Sequence, residues 1–480
     1  MLGARSRRRN IALDDPPVTS IRATLDKAPD TSAQHLWGRA ATIALADLRE
    51  GTSLDLPLRN LAGRSVLVAS REQMTAALAL IELDGAVRRI VICTPEISPG
   101  DLATVLRNGE IDAVVSDHPI ASSSPLASVP LHGRCSHVIQ HVSQPLPAER
   151  FQTEWVLLTS GTTGAPKMVV HDFQSLTAPI GAAAHHDPDV VWGTFYDIRR
   201  YGGLQIFLRF LLGRGSFVVS GGESQSEYLM RLGRHGVTHL SGTPSHWRRG
   251  LMCREARLVR PRYVRLSGEI ADQGILNALR AFFPGATVGH AFASTEAGVA
   301  FEVNDGLEGF PASMLEANPD VEMKIQDGSL WIRSARNAAC YLGEQRDALD
   351  GAAGFVDTGD LVERRGDRYY FLGRRNGVIN IGGNKVYPEE VEAVINRHPA
   401  VRMSMVRAKP SRIMGALVVA DIVMAGASDG ADAGDRSDTV KREILQSCQE
   451  NLAAYKIPAI IRFVPTLNVA AAGKLARHGS

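Results

Sequence analysis

From Trp155 to Lys167 the chain reads Trp-Val-Leu-Leu-Thr-Ser-Gly-Thr-Thr-Gly-Ala-Pro-Lys, an apolar run that opens into a loop of glycines and hydroxyl residues and ends in a lysine. Gly161 and Gly164 let the backbone turn its N–H groups toward an anion. Thr159, Ser160, Thr162 and Thr163 add hydroxyl donors, and Lys167 adds a cation. Such a combination is a phosphate cradle. It is not the P-loop of nucleoside triphosphatases, which needs G-x-x-x-x-G-K-[ST], because Ala165 and Pro166 separate the last glycine from Lys167.

Thr159–Lys167 resembles, at every position, the signature T-S-G-T-T-G-x-P-K of the adenylate-forming enzymes, which comprise acyl- and aryl-CoA synthetases, adenylation domains of nonribosomal peptide synthesis and firefly luciferase. Four later segments are similar to that family's motifs and keep their order. Phe292-Ala293-Ser294-Thr295-Glu296 corresponds to Y-G-x-T-E, and Thr358-Gly359-Asp360-Leu361 to T-G-D-L. Gly373-Arg374 corresponds to G-R, and Gly473-Lys474-Leu475-Ala476-Arg477 to G-K-x-x-R. The resemblance implies ATP and Mg²⁺ as requirements and assigns roles residue by residue. Glu296 would ligate Mg²⁺ with a hard carboxylate oxygen, and Thr295 would touch the α-phosphate. Asp360, an acceptor-only carboxylate, would take both ribose hydroxyls, with Arg374 donating to the same sugar. Phe292 stands where the family has an adenine-stacking tyrosine, and Gly268, with Ser267, where the family's backbone lines the adenine and acyl pockets. Lys474 would carry the chemistry of adenylation, because an ammonium placed where charge moves onto pyrophosphate stabilises the transition state more than the ground state. The lead-in Asn468–Ala472 departs from the family's P-R-T-x-x-G.

The same resemblance places a domain hinge at Asn376, where the family has Asp or Lys, followed by Gly377, which can absorb a large backbone change. Gly382-Gly383 would face the pantetheine channel. The acyl pocket falls on Tyr196–Leu204, where Arg199 or Arg200 takes the place of a histidine or aromatic and would read an acidic or polar substrate group, unless one of them pairs with Asp197. Tyr201 and the Thr243–Trp247 segment, with His246 and Trp247, would add pocket wall, Trp247 being either a substrate plate or ordinary core. A pocket built from Tyr201, Phe292 and Trp247 favours an aromatic or short acid. The acceptor would be the thiol of coenzyme A, with a carrier protein's phosphopantetheine or a non-thiol acceptor such as an amine or nitrite as alternatives. A nucleotide-binding regulator without catalysis is the reading from another class, and retention of Lys474 speaks against it.

Positioning these residues falls to an α/β scaffold. From Thr52 to Ser294, short Val/Ile-rich runs such as Ser65–Ser70, Ala113–Ser116, Trp155–Ser160 and Val264–Ser267 alternate with helix-period segments such as Glu72–Leu83 and Ala271–Phe283. This alternation predicts a largely parallel sheet covered by helices. Past Gly309 hairpin-like pairs predict a small β unit: Val321–Ile325 with Ser329–Ile332, and Leu361–Glu363 with Tyr369–Leu372. Beyond Gly377 a helix from Pro388, strands at Met403–Val406, Ala416–Val423 and Ile460–Val464, and a helix Val440–Leu452 predict a compact α+β domain. Within it, Ala425–Asp438 reads as an exposed loop. The expected division is a large domain over residues 1–375 and a small mobile one over 376–480.

The 480 residues carry 53 Lys+Arg against 51 Asp+Glu, a net charge of +2, which provides no clustered basic excess for nucleic acid or an anionic membrane. Five dispersed cysteines form no C-x-x-C pair, which argues against a disulfide framework or zinc site and for a reducing compartment. Arg5, Arg7, Arg8 and Arg9 precede Asp14, Asp15, Pro16 and Pro17 instead of an apolar stretch, and no apolar run approaches the roughly 20 residues that span a bilayer. A cytoplasmic protein is expected.

Overall fold

A computed structural model describes residues 20–27, 34–142, 151–159, 166–180, 187–317, 319–343, 349, 352–381, 384–411, 415–425, 433–469 and 473–475. The chain divides into two compact units that interleave in sequence. The first comprises residues 1–188, 211–216 and 338–348, the second residues 189–210, 217–337 and 349–480.

In the first unit, the strands Glu154–Thr159, Arg89–Ile92, Ser65–Val68, Ala113–Ser116 and Leu131–His141 lie side by side and parallel. Lys167–His171 and then Cys340–Leu342 add antiparallel at one edge, and Gly51–Leu54 at the other. The three central strands are buried at every position, which is why they read as continuous apolar runs instead of alternating ones. Helix Gln73–Leu83 is buried from Met74 through Leu83, so apolar residues occupy its whole circumference apart from Thr75 and Glu82, whose carboxylate accepts from Ser53 N at 2.7 Å. Each Leu or Val removed from water here contributes roughly 1.5–3 kcal/mol. A buried carboxylate joins the layers: Asp84 accepts from the indole of Trp155 at 2.9 Å and from the backbone N–H of Ile21 at 2.8 Å.

The second unit holds a sheet in which Val191–Thr194, His239–Gly242, Tyr263–Ser267 and Thr287–Ser294 are parallel neighbours, with Gly298–Val303 antiparallel beside the last. An antiparallel sheet follows in the order Phe310–Pro311, Arg368–Arg374, Val356–Arg365, Ser329–Ser334 and Val321–Gln326. Its Asp327-Gly328 turn has φ of 52° and 74°, the left-handed pair that a two-residue hairpin requires. In the last part of the chain, strands Val401–Ser411, Gly415–Met424 and Ile460–Phe463 form a sheet. Val391, Val394 and Ile395 of helix Pro388–Ile395 and Val440, Ile444 and Cys448 of helix Ala433–Asn451 share one core with it. The fold class is therefore α/β with a small α+β region, as the alternation of runs implies.

Two expectations are corrected. Helix Ala433–Asn451 begins inside the segment read as loop, because its first buried apolar residue comes only at Val440, after the exposed Asp438; of that expected loop, residues 426–432 lie outside the described residues. The hairpin read at Leu361–Glu363 is longer, Val356–Arg365 with Arg368–Arg374, so Asp360 and Arg374 lie on strands.

Candidate nucleotide and acyl-activation site

In the first unit Thr159 and Lys167 are direct cross-strand partners at the ends of two antiparallel strands. The Lys167 ammonium lies 4.8 Å over the ring of Tyr341. Ser160, Gly161, Thr162, Thr163 and Gly164 lie outside the described residues, as do Gly382 and Gly383.

In the second unit Thr358 and Gly359 shape the strand that carries Asp360. The Thr358 hydroxyl donates to the Leu330 carbonyl at 2.8 Å and accepts from Asp360 N at 3.1 Å, while Gly359, at φ 68°, donates its N–H to Asp357 at 2.9 Å. Asp360 faces Arg374 across the ladder, with Arg374 Nε 3.4 Å from its carboxylate. Burial raises the Asp360 pKa, and Arg374 and Lys474 oppose that rise. Arg375 pairs with Asp357 at 2.9 Å, and the next residue, Asn376, lies in a short 3-10 turn, Arg375–Gly377.

Thr295 and Glu296 occupy the turn between strands Thr287–Ser294 and Gly298–Val303, closed by the Ala297 N–H donating to Ser294 Oγ at 3.0 Å. Lys474 lies where Glu296, Asp360, Arg374 and Glu269 all act on it. The residue keeps solvent-accessible surface, yet the protein crowded around its ammonium lowers its pKa by desolvation; Arg374 lowers it further, and Glu269, Asp360 and Glu296 pull it back up. Its Cε lies 3.5 Å from the point where a side chain at Gly268 would begin.

The expected acyl wall is placed less simply. Arg199 is 6% exposed and forks onto Asp197 through contacts of 2.8 and 2.6 Å, the pairing weighed against a pocket role. Arg200 donates its N–H to the Asp197 carbonyl at 3.1 Å and leads into helix Tyr201–Gly213, a helix that the pocket reading of this segment overlooked. Tyr201 is buried at its start, and burial pushes its phenol pKa up. Trp247 belongs to the core instead of forming a substrate plate: it is 2% exposed, its indole N–H points to the Arg265 carbonyl, and its ring meets Phe195 and Phe283 edge-on. Phe292, half-buried, is stacked with Phe371 at 5.2 Å and Phe301 at 5.8 Å beside the apolar sheet core. His246 packs beside Phe195 and Tyr196 and against Gly473, where burial, with Arg249 adding, pushes its pKa down to about 4, so it is neutral near pH 7. The Ser267 carbonyl accepts from the Tyr196 hydroxyl at 2.8 Å.

Three polar groups of this unit make contacts that the residue-level reading did not anticipate. Glu269 accepts from Ser245 N at 2.9 Å and from Leu475 N at 3.0 Å. Thr243 donates its hydroxyl to the Gly473 carbonyl at 2.6 Å. Arg265, 3% exposed, pairs with Glu302 at 3.1 Å, and Glu302 also accepts from the Tyr263 hydroxyl. An arginine inside a buried strand was the available signal for the last. Nothing local signals the first two.

Among the described residues no cluster of three or more His, Cys, Asp or Glu could hold a metal by itself. Glu296, acting on the same ammonium as Asp360, fits the single carboxylate through which Mg²⁺ is held when phosphates supply its other oxygens. No helix of the described residues is long and apolar enough to cross a membrane.

Over 96% of both chains the fold superimposes, with a TM-score of 0.78 and 19% identity, on a crystal structure of the anthranilate CoA ligase AuaEII in complex with anthranoyl-AMP. The architecture is that of the adenylate-forming enzymes. The profile of the AMP-binding enzymes matches residues 66–342, and that of the AMP-binding enzyme C-terminal domain matches residues 390–474. Matched over more than half its length, the chain belongs to the AMP-binding enzyme family. It is 26% identical over 351 residues to the mitochondrial acyl-coenzyme A synthetase ACSM5 of Homo sapiens, covering 67% of this chain and 59% of that relative, so it spans about three fifths of the human protein's length. It is 23% identical to the 2-succinylbenzoate–CoA ligase of Lactococcus lactis over 86% of this chain and 89% of the relative.

Proposed function

We propose that the protein activates a small carboxylic acid, with an aromatic acid favoured, as its adenylate at the expense of ATP and passes the acyl group to the thiol of coenzyme A. The observation that carries this reading is the placement of Lys474 among Glu269, Glu296, Asp360 and Arg374. A binding protein has no use for an ammonium held there, whereas adenylation does. In that step a carboxylate oxygen forms a bond to the α-phosphorus of ATP while the bond from that phosphorus to the bridging oxygen of pyrophosphate breaks, and the electron pair leaves with pyrophosphate. Lys474 offers positive charge to the phosphate oxygens as this happens, in a crowded site where such an interaction is stronger than in water. Asp360 and Arg374 are placed to hold a ribose by its two hydroxyls. Thr159, Lys167 and the loop between them would receive the phosphates. Glu296 would hold Mg²⁺, which supplies charge neutralisation between phosphate oxygens. In the second step the thiol attacks the acyl carbonyl carbon and AMP leaves.

The relatives named for acyl-CoA, 2-succinylbenzoate and anthranilate support a thiol acceptor and a compact acid. Phe195, Tyr196 and His246, gathered beside Ser267 and Gly268, are suited to an aromatic ring. Asn376 would be the pivot between the two steps. The test is ATP–pyrophosphate exchange over a panel of aromatic, amino-substituted aromatic and short aliphatic acids, followed by mass spectrometry of the products formed with coenzyme A. Exchange with an acid and a matching thioester are expected. Exchange without a thioester would move the acceptor to a carrier protein or an amine, and binding of ATP without exchange for any acid would overturn the reading.

A further inference from the structure

Lys474 sits between two residues that are fastened to positions more than 200 residues earlier in the chain. On one side the Gly473 carbonyl accepts the Thr243 hydroxyl at 2.6 Å; on the other the Leu475 N–H donates to Glu269 Oε1 at 3.0 Å. Both anchors are held in place before they meet the loop. Thr243 is buried at the start of helix Pro244–Gly250, and the same hydroxyl accepts the His246 N–H at 3.0 Å as the helix cap. Glu269 is oriented by Ser245, whose N–H and hydroxyl donate at 2.9 and 3.0 Å. Gly473 has φ 73° and lies against the His246 ring, with which a Cβ at this position would collide. Val469 and Leu475 bridge to close the loop's base.

An ammonium on an untethered chain end would have to be ordered each time the reaction occurs. Electrostatic stabilisation is effective when the charge is already in place, so the backbone on both sides of Lys474 is where positioning matters most. We propose that Thr243 and Glu269 are positioning residues for adenylate formation: they dock the Gly473-Lys474-Leu475 segment so that the ammonium awaits the reacting phosphate. Neither has to touch substrate. Glu269 also contributes its charge, since it stands with Asp360 and Glu296 against the burial and the Arg374 guanidinium that disfavour a protonated lysine.

This inference rests on the ligase reading, but the docking itself can be measured without substrate. The full-length protein would be compared with Thr243→Val, Thr243→Ser and Glu269→Gln in three assays. Hydrogen exchange of the peptide containing residues 473–475 should speed up at least tenfold in Thr243→Val and Glu269→Gln and stay close to wild type in Thr243→Ser, with the remaining peptides unchanged. Pyrophosphate exchange should lose roughly 10- to 100-fold in kcat with little change in the KM for ATP, again rescued by serine. Transfer to coenzyme A from a preformed acyl-adenylate should stay within about twofold. In Glu269→Gln, where a single amide oxygen cannot serve both the Ser245 and the Leu475 backbone N–H groups and the negative charge is lost, the alkaline limb of adenylation should move to lower pH; in Thr243→Val it should not. Unchanged exchange at 473–475 together with unchanged pyrophosphate exchange would overturn the proposal, as would an equal loss in both half-reactions accompanied by a general rise in hydrogen exchange. A wild type that performs no acid-dependent exchange, yet shows the docking effect, would refute the ligase reading and leave the anchoring of this segment as the part that stands.

Discussion

Asp360 and Arg374 stand opposite each other on antiparallel strands, with the guanidinium Nε 3.4 Å from the carboxylate, so the two groups proposed to hold the ribose of ATP belong to one ladder. Hydrogen bonds to charged groups are each worth roughly 1.5–3 kcal/mol. Asp360→Asn, which keeps the size but replaces one acceptor by a donor, is therefore expected to raise the KM for ATP about 10- to 100-fold while changing kcat far less. Steady-state pyrophosphate exchange at varied ATP checks this, and an unchanged KM would remove Asp360 from the nucleotide site.

Lys474→Ala removes the ammonium and leaves the backbone anchors. By comparison with single oxyanion donors, adenylation should drop about 10²- to 10³-fold, with the melting temperature preserved because the residue keeps solvent-accessible surface. The wild-type rate should also fall at alkaline pH, with a midpoint below that of an ordinary lysine, since burial and Arg374 disfavour the charged form. That limb should be missing from the residual activity of the alanine variant, as a pH–rate profile would show.

Gly473→Ala separates docking from charge. At φ 73° a side chain is strained, and its Cβ would collide with the His246 ring, which is itself wedged beside Phe195 and Tyr196. Adenylation should fall as far as in Lys474→Ala even though the lysine is intact. Full activity in the alanine variant would show that the segment acts from some other arrangement.

His246 makes folding sensitive to acid. Its pKa is pushed down to about 4 by burial and Arg249, against about 6.5 in the unfolded chain. Between these values the unfolded state binds more protons, so stability falls as pH drops through that window, by at most about 3 kcal/mol. His246→Gln should flatten the dependence of the urea midpoint on pH between 6.5 and 4, and a parallel slope in the variant would assign the acid sensitivity elsewhere.

Local pattern made much of this protein legible. Ser65–Val68, Ala113–Ser116 and Tyr263–Ser267 are strands because Val and Leu crowd them between turn residues. The Asp327-Gly328 turn follows from two residues that tolerate positive φ. Composition and order alone suggest a phosphate cradle at Thr159–Lys167, whereas a sugar acceptor at Thr358–Asp360 and a reactive cation at Gly473-Lys474 follow only from the resemblance of those short segments to a family's motifs.

Long-range packing settled the rest, for a physical reason that runs through every difference. Whether Phe292 offers its ring to a ligand or to Phe371 depends on which strands lie side by side, and no window of residues around Phe292 contains Phe371. Trp247 becomes core because Phe195 and Phe283 close over it; the turn of Arg199 to Asp197, two residues away, is by contrast a local pairing that the sequence already offered. Thr243 reads in one dimension only as part of a pocket-wall segment, and the fold reveals that its hydroxyl caps helix Pro244–Gly250 and also holds the carbonyl beside Lys474, 230 residues away. The sequence by itself determined which groups do chemistry, because chemistry belongs to residue types. Tertiary structure decided which of them meet, because meeting depends on topology and on side chains contributed from distant parts of the chain.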